Sequence, residues 1–388
     1  MCVNGGDIVI ETVSDKKGRA AFVDIGNAFA AREPHSVPQL RGEQIELITP
    51  GKNPFFGHAK AQLFIAKRHG QAVGRISAHI DLLALDMPKE QGFGPGTGMF
   101  GYFDAEDEQV AHELLAAAEQ WLRSEEMMRS LGPISMSIWE EPGLLVKGQD
   151  HAPMIMMGHH PSHYRAWIES YGYAPAKTLL TYDLKVDVDF PPLIRRIVKS
   201  GERNERITVR QVVKKHWDSE AAIILSILND AWSSNWGFVP FTPDEIAHAG
   251  KKLRPIIFEP LNMIAELDGE PVAFMLTFPD MNQALSKING KLLPFGWFHM
   301  LRWLRKPKGA GMRVPLMGVK KELHNSRVAS QLAFMMISQI RDNADRLYGS
   351  KRGEIGWILD DNQGMVAIAD AIDSQINREY IVFGKDLI

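Results

Sequence analysis

The sequence predicts an α/β protein built twice over, each copy a mixed, twisted sheet flanked by helices. Three observations carry that reading. The last quarter, Met312–Ile388, reads strand, loop, helix, strand, helix, strand. Ile65-Ala66, Gly70 and Val73 recur with the same spacing as Ile264-Ala265, Gly269 and Val272, and the helix and strand of 162–184 return in 363–383 at nearly the same offset, which favours an internal duplication. The chain's 388 residues exceed one ordinary core and suit two domains.

In chain order, Ile8-Val-Ile10 is a candidate strand and 21–29 a short helix. From Gln62 two apolar runs around His69-Gly70 predict a hairpin. Met99–Phe103 reads as the central strand of the first copy, 106–123 as its helix, 134–138 as the next strand, and 162–170 with 178–184 as the closing helix and strand. The stretch 187–205, with Pro191-Pro192 and a charge-rich run, is the predicted linker between a copy at 1–190 and a copy at 205–388. In the second copy 207–212 opens the sheet, 219–232 is helical, and Asp268-Gly269 takes the matching turn. Val314–Val319 is the central strand, bounded like a buried one. Val328, Leu332, Met335, Met336, Ile340 and Ala344 then recur at helical spacing up to Gly349. Glu354–Leu359 runs into Asp360-Asp361-Asn362, which opens a helix over 363–372, and Tyr380–Phe383 closes the unit.

Composition bounds the function. With 45% hydrophobic and 23% charged residues the chain is a folded protein, and a net charge of −3 speaks against a dedicated nucleic-acid binder. The single cysteine, Cys2, makes no intramolecular disulfide and is a poor nucleophile candidate near a frayed terminus, so a reducing compartment is expected. The sequence shows neither a signal core nor a run of eighteen apolar residues; the expectation is a cytoplasmic protein free to lie on, but not span, the inner membrane.

Several stretches carry candidate chemistry. The glycines Gly92 to Gly101 precede a strand, whereas a nucleotide fingerprint sits between strand and helix, so a mobile loop is the better reading. His151, His159, His160 and His163 lack a zinc spacing; a hydrogen-bonded loop is expected, with no metal, and the segment ending at Tyr164 is a candidate cleft lining. Asn235–Thr242, with Trp236 and Phe238, reads equally as a packed interhelical loop or an apolar ligand wall, and Thr242 with Glu245 forms a capping box. Asp280 and Asn282 either cap a turn or present a carboxylate and an amide to a polar head group. Between Lys291 and Lys306, Leu293, Phe295, Trp297, Phe298, Leu301, Trp303 and Leu304 alternate with basic residues, as in a helix at a bilayer interface; a core helix with a basic outer face is the alternative.

The strand-loop-helix of 314–349, the strand ending Leu359-Asp-Asp-Asn362 and the closing Tyr380 strand resemble the C-terminal half of a GNAT-type acyltransferase domain. Phe100-Gly-Tyr-Phe-Asp104, Asn235-Trp-Gly-Phe238, Pro279-Asp-Met-Asn282, Leu293-Pro-Phe-Gly-Trp297 and Leu316-Met-Gly-Val319 extend the resemblance to a bacterial group of tandem GNAT-like proteins that includes ceramide synthases. The resemblance implies transfer of a long acyl chain from acyl-CoA or an acyl carrier protein thioester to the amine of a lipid-like, sphingoid acceptor. It places backbone N–H groups near Gly318 and Val319 at the oxyanion, Asn325, Ser326, Ser330 and Asn362 at the donor, and Trp236, Phe238, Asp280, Asn282, Trp297 and Tyr164 around acceptor and acyl chain. Glu354 is the expected base and Tyr380 the expected acid. The family's glycine-containing pyrophosphate loop is replaced here by Glu322–Ser330, which has no glycine. Two alternatives stay open: an aminoacyl or small-substrate N-acetyltransferase, and a non-catalytic acyl-CoA or lipid binder.

Overall fold

The computed structural model describes residues 8–387; Cys2 lies outside them. The chain forms two compact units that are not contiguous in sequence. One takes the residues up to Leu179, Leu285–Leu292 and those from Arg378 onward; the other takes Leu180–Ala284 and Leu293–Asn377.

In the first unit the strands lie in the order Ile8–Val13, Ala59–Arg68, Gln71–Asp81, Thr97–Ala105, Arg129–Gly132 and then the final strand, Gln375–Asp386. Every pairing is antiparallel except Thr97–Ala105 with Arg129–Gly132, which is parallel. His69 and Gly70 turn the hairpin with φ of 52° and 77°, the left-handed pair that matches strand twist. The strand expected over 134–138 is instead Arg129–Gly132, and Ile134-Ser135 forms only a two-residue ladder with Glu141-Pro142. Pro133, which has no N–H to donate, separates the two. Side chains alternate across the sheet. Phe64, Ile76, Phe100 and Phe383 meet Val110, Leu114, Leu115 and Leu122 of the helix Glu108–Ser124, while Leu63, Ile65 and Tyr102 meet Phe22 and Val23 of the helix Lys16–Ala30 on the other face.

The second unit repeats this order: Ile207–Gln211, Met263–Leu267, Glu270–Pro279, Met312–Val319, Arg352–Leu359 and then the later half of Ala174–Lys185. Asp268 and Gly269 turn its hairpin with φ of 54° and 84°. The helix Arg327–Asn343 covers one face with Leu332, Met335 and Met336. The stretch expected as a linker is folded against it: Pro192 opens the helix Pro192–Glu202, whose Ile194 and Val198 join the same core. The linker reading failed because a proline pair marks a helix start as readily as a break. Toward the other face, the Trp217 indole donates to the Gly250 carbonyl at 2.6 Å, tying the helix Trp217–Trp232 to Pro243–Leu253. The Thr242–Glu245 capping box is present as expected.

Each unit is therefore finished by a strand that sequence order assigns to the other copy. Phe383 registers with Gly132 and Tyr380 with Leu145 in the first unit. In the second, Asp183 pairs with Arg352, and Val186 N–H reaches the Lys351 carbonyl at 3.0 Å.

Candidate active site

The candidate site begins where two strands part. Met312–Val319 and Arg352–Leu359 run parallel and register only as Met312 with Gly353, Arg313 with Glu354 and Val314 with Ile355. Past Val314 the pairing stops, while Met312–Val319 stays on Glu270–Pro279 as far as Ala273 with Val319. Two local causes coincide: Pro315 cannot donate to a ladder, and the register slips between Leu276 and Phe278, a bulge that bends the strand. One edge of Pro315–Val319 is left facing an opening.

Ladder alternation decides which groups face it. Lys320 N–H donates to the Val272 carbonyl at 2.8 Å, so by alternation Gly318 N–H turns toward Phe274, and the N–H groups of Met317 and Val319 turn the other way. The carbonyls agree, for the Trp232 indole donates to Met317 O at 3.0 Å and His324 Nε2 lies 2.7 Å from Val319 O. The N–H groups of Met317 and Val319 thus share the free edge, and that of Gly318 lies on the paired one. Gly318 serves packing instead: a Cβ there would lie 2.9 Å from the Phe274 ring and 3.1 Å from the Ala231 Cβ.

The strand leads into a loop and a helix start. Ser326 caps Arg327–Asn343 by accepting Ala329 N–H at 3.1 Å. Asn325 takes φ 61°, the left-handed position that a glycine would otherwise supply. Lys320, Lys321, His324 and Arg327 lie in or beside this loop in sequence, with Glu322 among them and the Asp230 carboxylate accepting Lys321 N–H at 2.7 Å; a helix N-terminus itself favours an anion.

These features have relatives. No protein-family model matches the chain. The bacterial ceramide synthase of Caulobacter vibrioides is 40% identical over 368 residues, covering 94% of each chain. The chain belongs to the bacterial ceramide synthase family. Protein YghO of Escherichia coli is 35% identical over 382 residues, covering 98% of this chain and 95% of its own. A tandem GNAT protein from the clavulanic acid biosynthesis pathway, solved without AcCoA, superposes with a TM-score of 0.56 at 10% identity, covering 98% of this chain and 99% of that one. The fold is a tandem GNAT fold, and the chain is an N-acyltransferase. Among the described residues no group of three or more His, Cys, Asp or Glu is arranged to hold a metal ion.

Beneath the opening this ceramide-synthase relative carries a buried polar chain. Glu354 and Arg313 are both fully buried, with Glu354 Oε1 4.0 Å from Arg313 Nε. Asn377 donates to Glu354 Oε2 at 2.7 Å, and the Thr181 hydroxyl donates to Asn377 Oδ1 at 2.7 Å. Arg352 adds a second cation 3.6 Å from Oε2, and the Arg313 guanidinium lies over the Trp357 ring at 5.8 Å. Two arginines and an amide hold the carboxylate, while Oε1 accepts no hydrogen bond among the described residues. Asp280 and Asn282 are buried at the end of the neighbouring strand, where Asp280 accepts Asn282 N–H at 3.1 Å. Ser330 is half-buried near the start of Arg327–Asn343, and Asn362 caps Gln363–Ala371 through Met365 N–H at 3.1 Å. Phe238 is buried and Trp236 half-buried, whereas Trp297 is exposed, its indole donating to the Pro294 carbonyl at 3.0 Å.

Two expected site residues belong to the first unit, and both have their hydroxyls committed. Tyr380 is fully buried and donates to the Gly158 carbonyl at 3.0 Å, which holds the loop before His160 on the strand. Tyr164 donates to Ala105 O at 3.2 Å and accepts Ala105 N–H at 3.1 Å; burial raises its pKa. The histidine loop is hydrogen-bonded: His160 Nδ1 accepts Leu145 N–H at 3.1 Å, and burial pushes its pKa down to about 3.

The first unit has the same parting of strands, closed by its own chain. Thr97, Gly98 and Met99 register with Arg129, Ser130 and Leu131, then the pairing stops. Ser135 Oγ accepts Tyr102 N–H at 3.2 Å, and a Cβ at Gly101 would lie 2.1 Å from the Ile134 carbonyl oxygen, so this opening is filled. The helix that follows is capped by Asp107, whose carboxylate takes two bonds from Arg68, at 2.6 and 3.2 Å, and is thereby held below the usual range. The same carboxylate accepts Val110 N–H at 2.9 Å, so this helix start already holds an anion of its own.

Proposed function

We propose that the second unit holds a long-chain acyl thioester along the free edge of Pro315–Val319 and transfers the acyl group to the amine of a sphingoid-like lipid, forming an amide. The observation that carries this reading is the parting of Met312–Val319 from Arg352–Leu359, with the N–H groups of Met317 and Val319 turned into the opening. Those N–H groups stabilise the oxyanion of the tetrahedral intermediate. The donor's anionic end takes the loop Lys320–Ser326 and the helix N-terminus beyond it. Attack is direct, with no acyl-enzyme, because the sequence holds no nucleophile elbow; the C–N bond forms, the C–S bond breaks, and the donor leaves as a thiolate that takes a proton from solvent. Glu354 receives the ammonium proton on Oε1, and Asp280 with Asn282 meets the polar head of the acceptor. The relative's name, bacterial ceramide synthase, supports the sphingoid acceptor.

The test is incubation of the purified protein with long-chain acyl-CoA or acyl carrier protein and a sphingoid base, with mass spectrometry for the amide. The expected result is an amide that depends on both substrates. Release of free acid alone, or no consumption of either donor, sinks the reading.

A further inference from the structure

The turn before Gly296 and the helix Gly296–Arg305 take no part in the geometry of the opening. A core helix hides its apolar residues, and this segment displays them: Leu293, Phe295, Trp297, Phe298 and Leu301 are 79%, 78%, 47%, 59% and 54% exposed, while Met300 is buried. Trp297, Leu301 and Arg305 succeed one another at i, i+4, as do Phe298 and Arg302, so one outward face is apolar at its start and basic at its end. Lys306 and Lys308 are exposed just beyond. Among the described residues no carboxylate engages Arg302, Arg305, Lys306 or Lys308.

Exposed apolar area beside uncompensated positive charge matches an anionic lipid surface in both respects. We propose that this face docks on an anionic bilayer, with Leu293, Phe295, Phe298 and Leu301 entering the boundary of the acyl region and Trp297 at headgroup level. Arg302, Arg305, Lys306 and Lys308 then meet lipid phosphates. An acidic protein would answer the charge, but it would leave Leu293 and Phe295, each more than three-quarters exposed, without an apolar counterpart. Docking of this kind brings the second unit to the surface where a lipid-like amine resides. The docking itself stands on the exposed face alone and not on the identity of the reaction.

The full chain is mixed with vesicles of phosphatidylcholine, and of phosphatidylcholine with about one third phosphatidylglycerol, then sedimented. Binding to the anionic vesicles is expected to exceed binding to the neutral ones by about tenfold and to weaken with salt. The triple variant Phe295→Ser, Phe298→Ser, Leu301→Ser is expected to lose about tenfold in anionic-vesicle binding while its melting temperature and its turnover of detergent-dispersed substrate stay unchanged. Arg302→Glu with Arg305→Glu is expected to abolish the preference for anionic vesicles, and it serves as the second arm if the triple variant misfolds. A wild-type protein that ignores anionic vesicles overturns the proposal. So does either variant binding as the wild type does, or capture by an acidic carrier protein through these residues without vesicle binding. Because binding is read without turnover, failure of the amide-forming assay leaves this result standing.

Discussion

At the scale of single residues, Glu354 separates chemistry from support. Glu354→Gln keeps the Asn377 and arginine contacts within reach of an amide but removes the proton acceptor, and kcat is expected to fall by roughly 100-fold or more, read by amide formation across pH. Glu354→Ala leaves the Arg313 charge buried without its carboxylate and is expected to cost about 3–5 kcal/mol, read by urea unfolding. A second residue sets the response to acid. His79 is fully buried, and desolvation lowers its pKa to about 3 from an ordinary 6.5. Between those values the unfolded chain binds a proton that the folded chain refuses, so stability is full above pH 6.5 and declines as pH falls toward 3. Urea midpoints at pH 7 and pH 4.5 are expected to lie closer together in His79→Leu than in the wild type. Ordinary residue chemistry made part of this legible: the polar turn Asp360-Asp361-Asn362 announced the helix that Asn362 caps. The pairing of Glu354 with Arg313 was not, because it depends on a parallel register that no local pattern reports.

At the scale of elements, the two strand-loop-helix units carry the same geometry to opposite ends. Ser326→Ala removes the cap of Arg327–Asn343 and is expected to cost about 1 kcal/mol. It is also expected to raise KM for acyl-CoA several-fold, as is Lys321→Ala, because both lie at the proposed anion end. Asp107→Ala in the first unit is expected to leave that KM unchanged, since its helix start is already occupied by a carboxylate; equal effects in the two units would contradict the assignment. The hairpins were readable from sequence because Gly70 and Gly269 mark turns that need left-handed backbone. The strand Arg129–Gly132 was not, being four residues beside a more apolar run that turned out to fill the neighbouring opening. Which of Met317, Gly318 and Val319 turns its N–H to the free edge was not readable for a related reason: composition says nothing about which way an N–H turns, and the alternation of the ladder says it at once.

At the scale of the whole molecule, the repeated order of strands was visible as a recurring spacing, but the exchange of closing strands was not. Either copy's last strand offers the same apolar alternation to either sheet, so only pairing in three dimensions assigns it. Phe383 and Val382 are fully buried in the first unit, and Phe383→Ala is expected to cost about 3–5 kcal/mol there. Removing the residues after Asn377 is expected to make the first unit protease-sensitive in limited digestion; a truncated chain as resistant as the full one would mean that the strand is dispensable.

That borrowed strand also constrains biosynthesis. The first 179 residues emerge early, yet the sheet they build lacks an edge until Arg378 and its successors have been made. During most of translation the Arg129–Gly132 border therefore stays open to stray pairing, a hazard for unfinished sheets. Polypeptides released prematurely should be conspicuous clients of chaperones and proteases, and a bulky fusion at the far terminus should disturb the half of the molecule that was synthesised first.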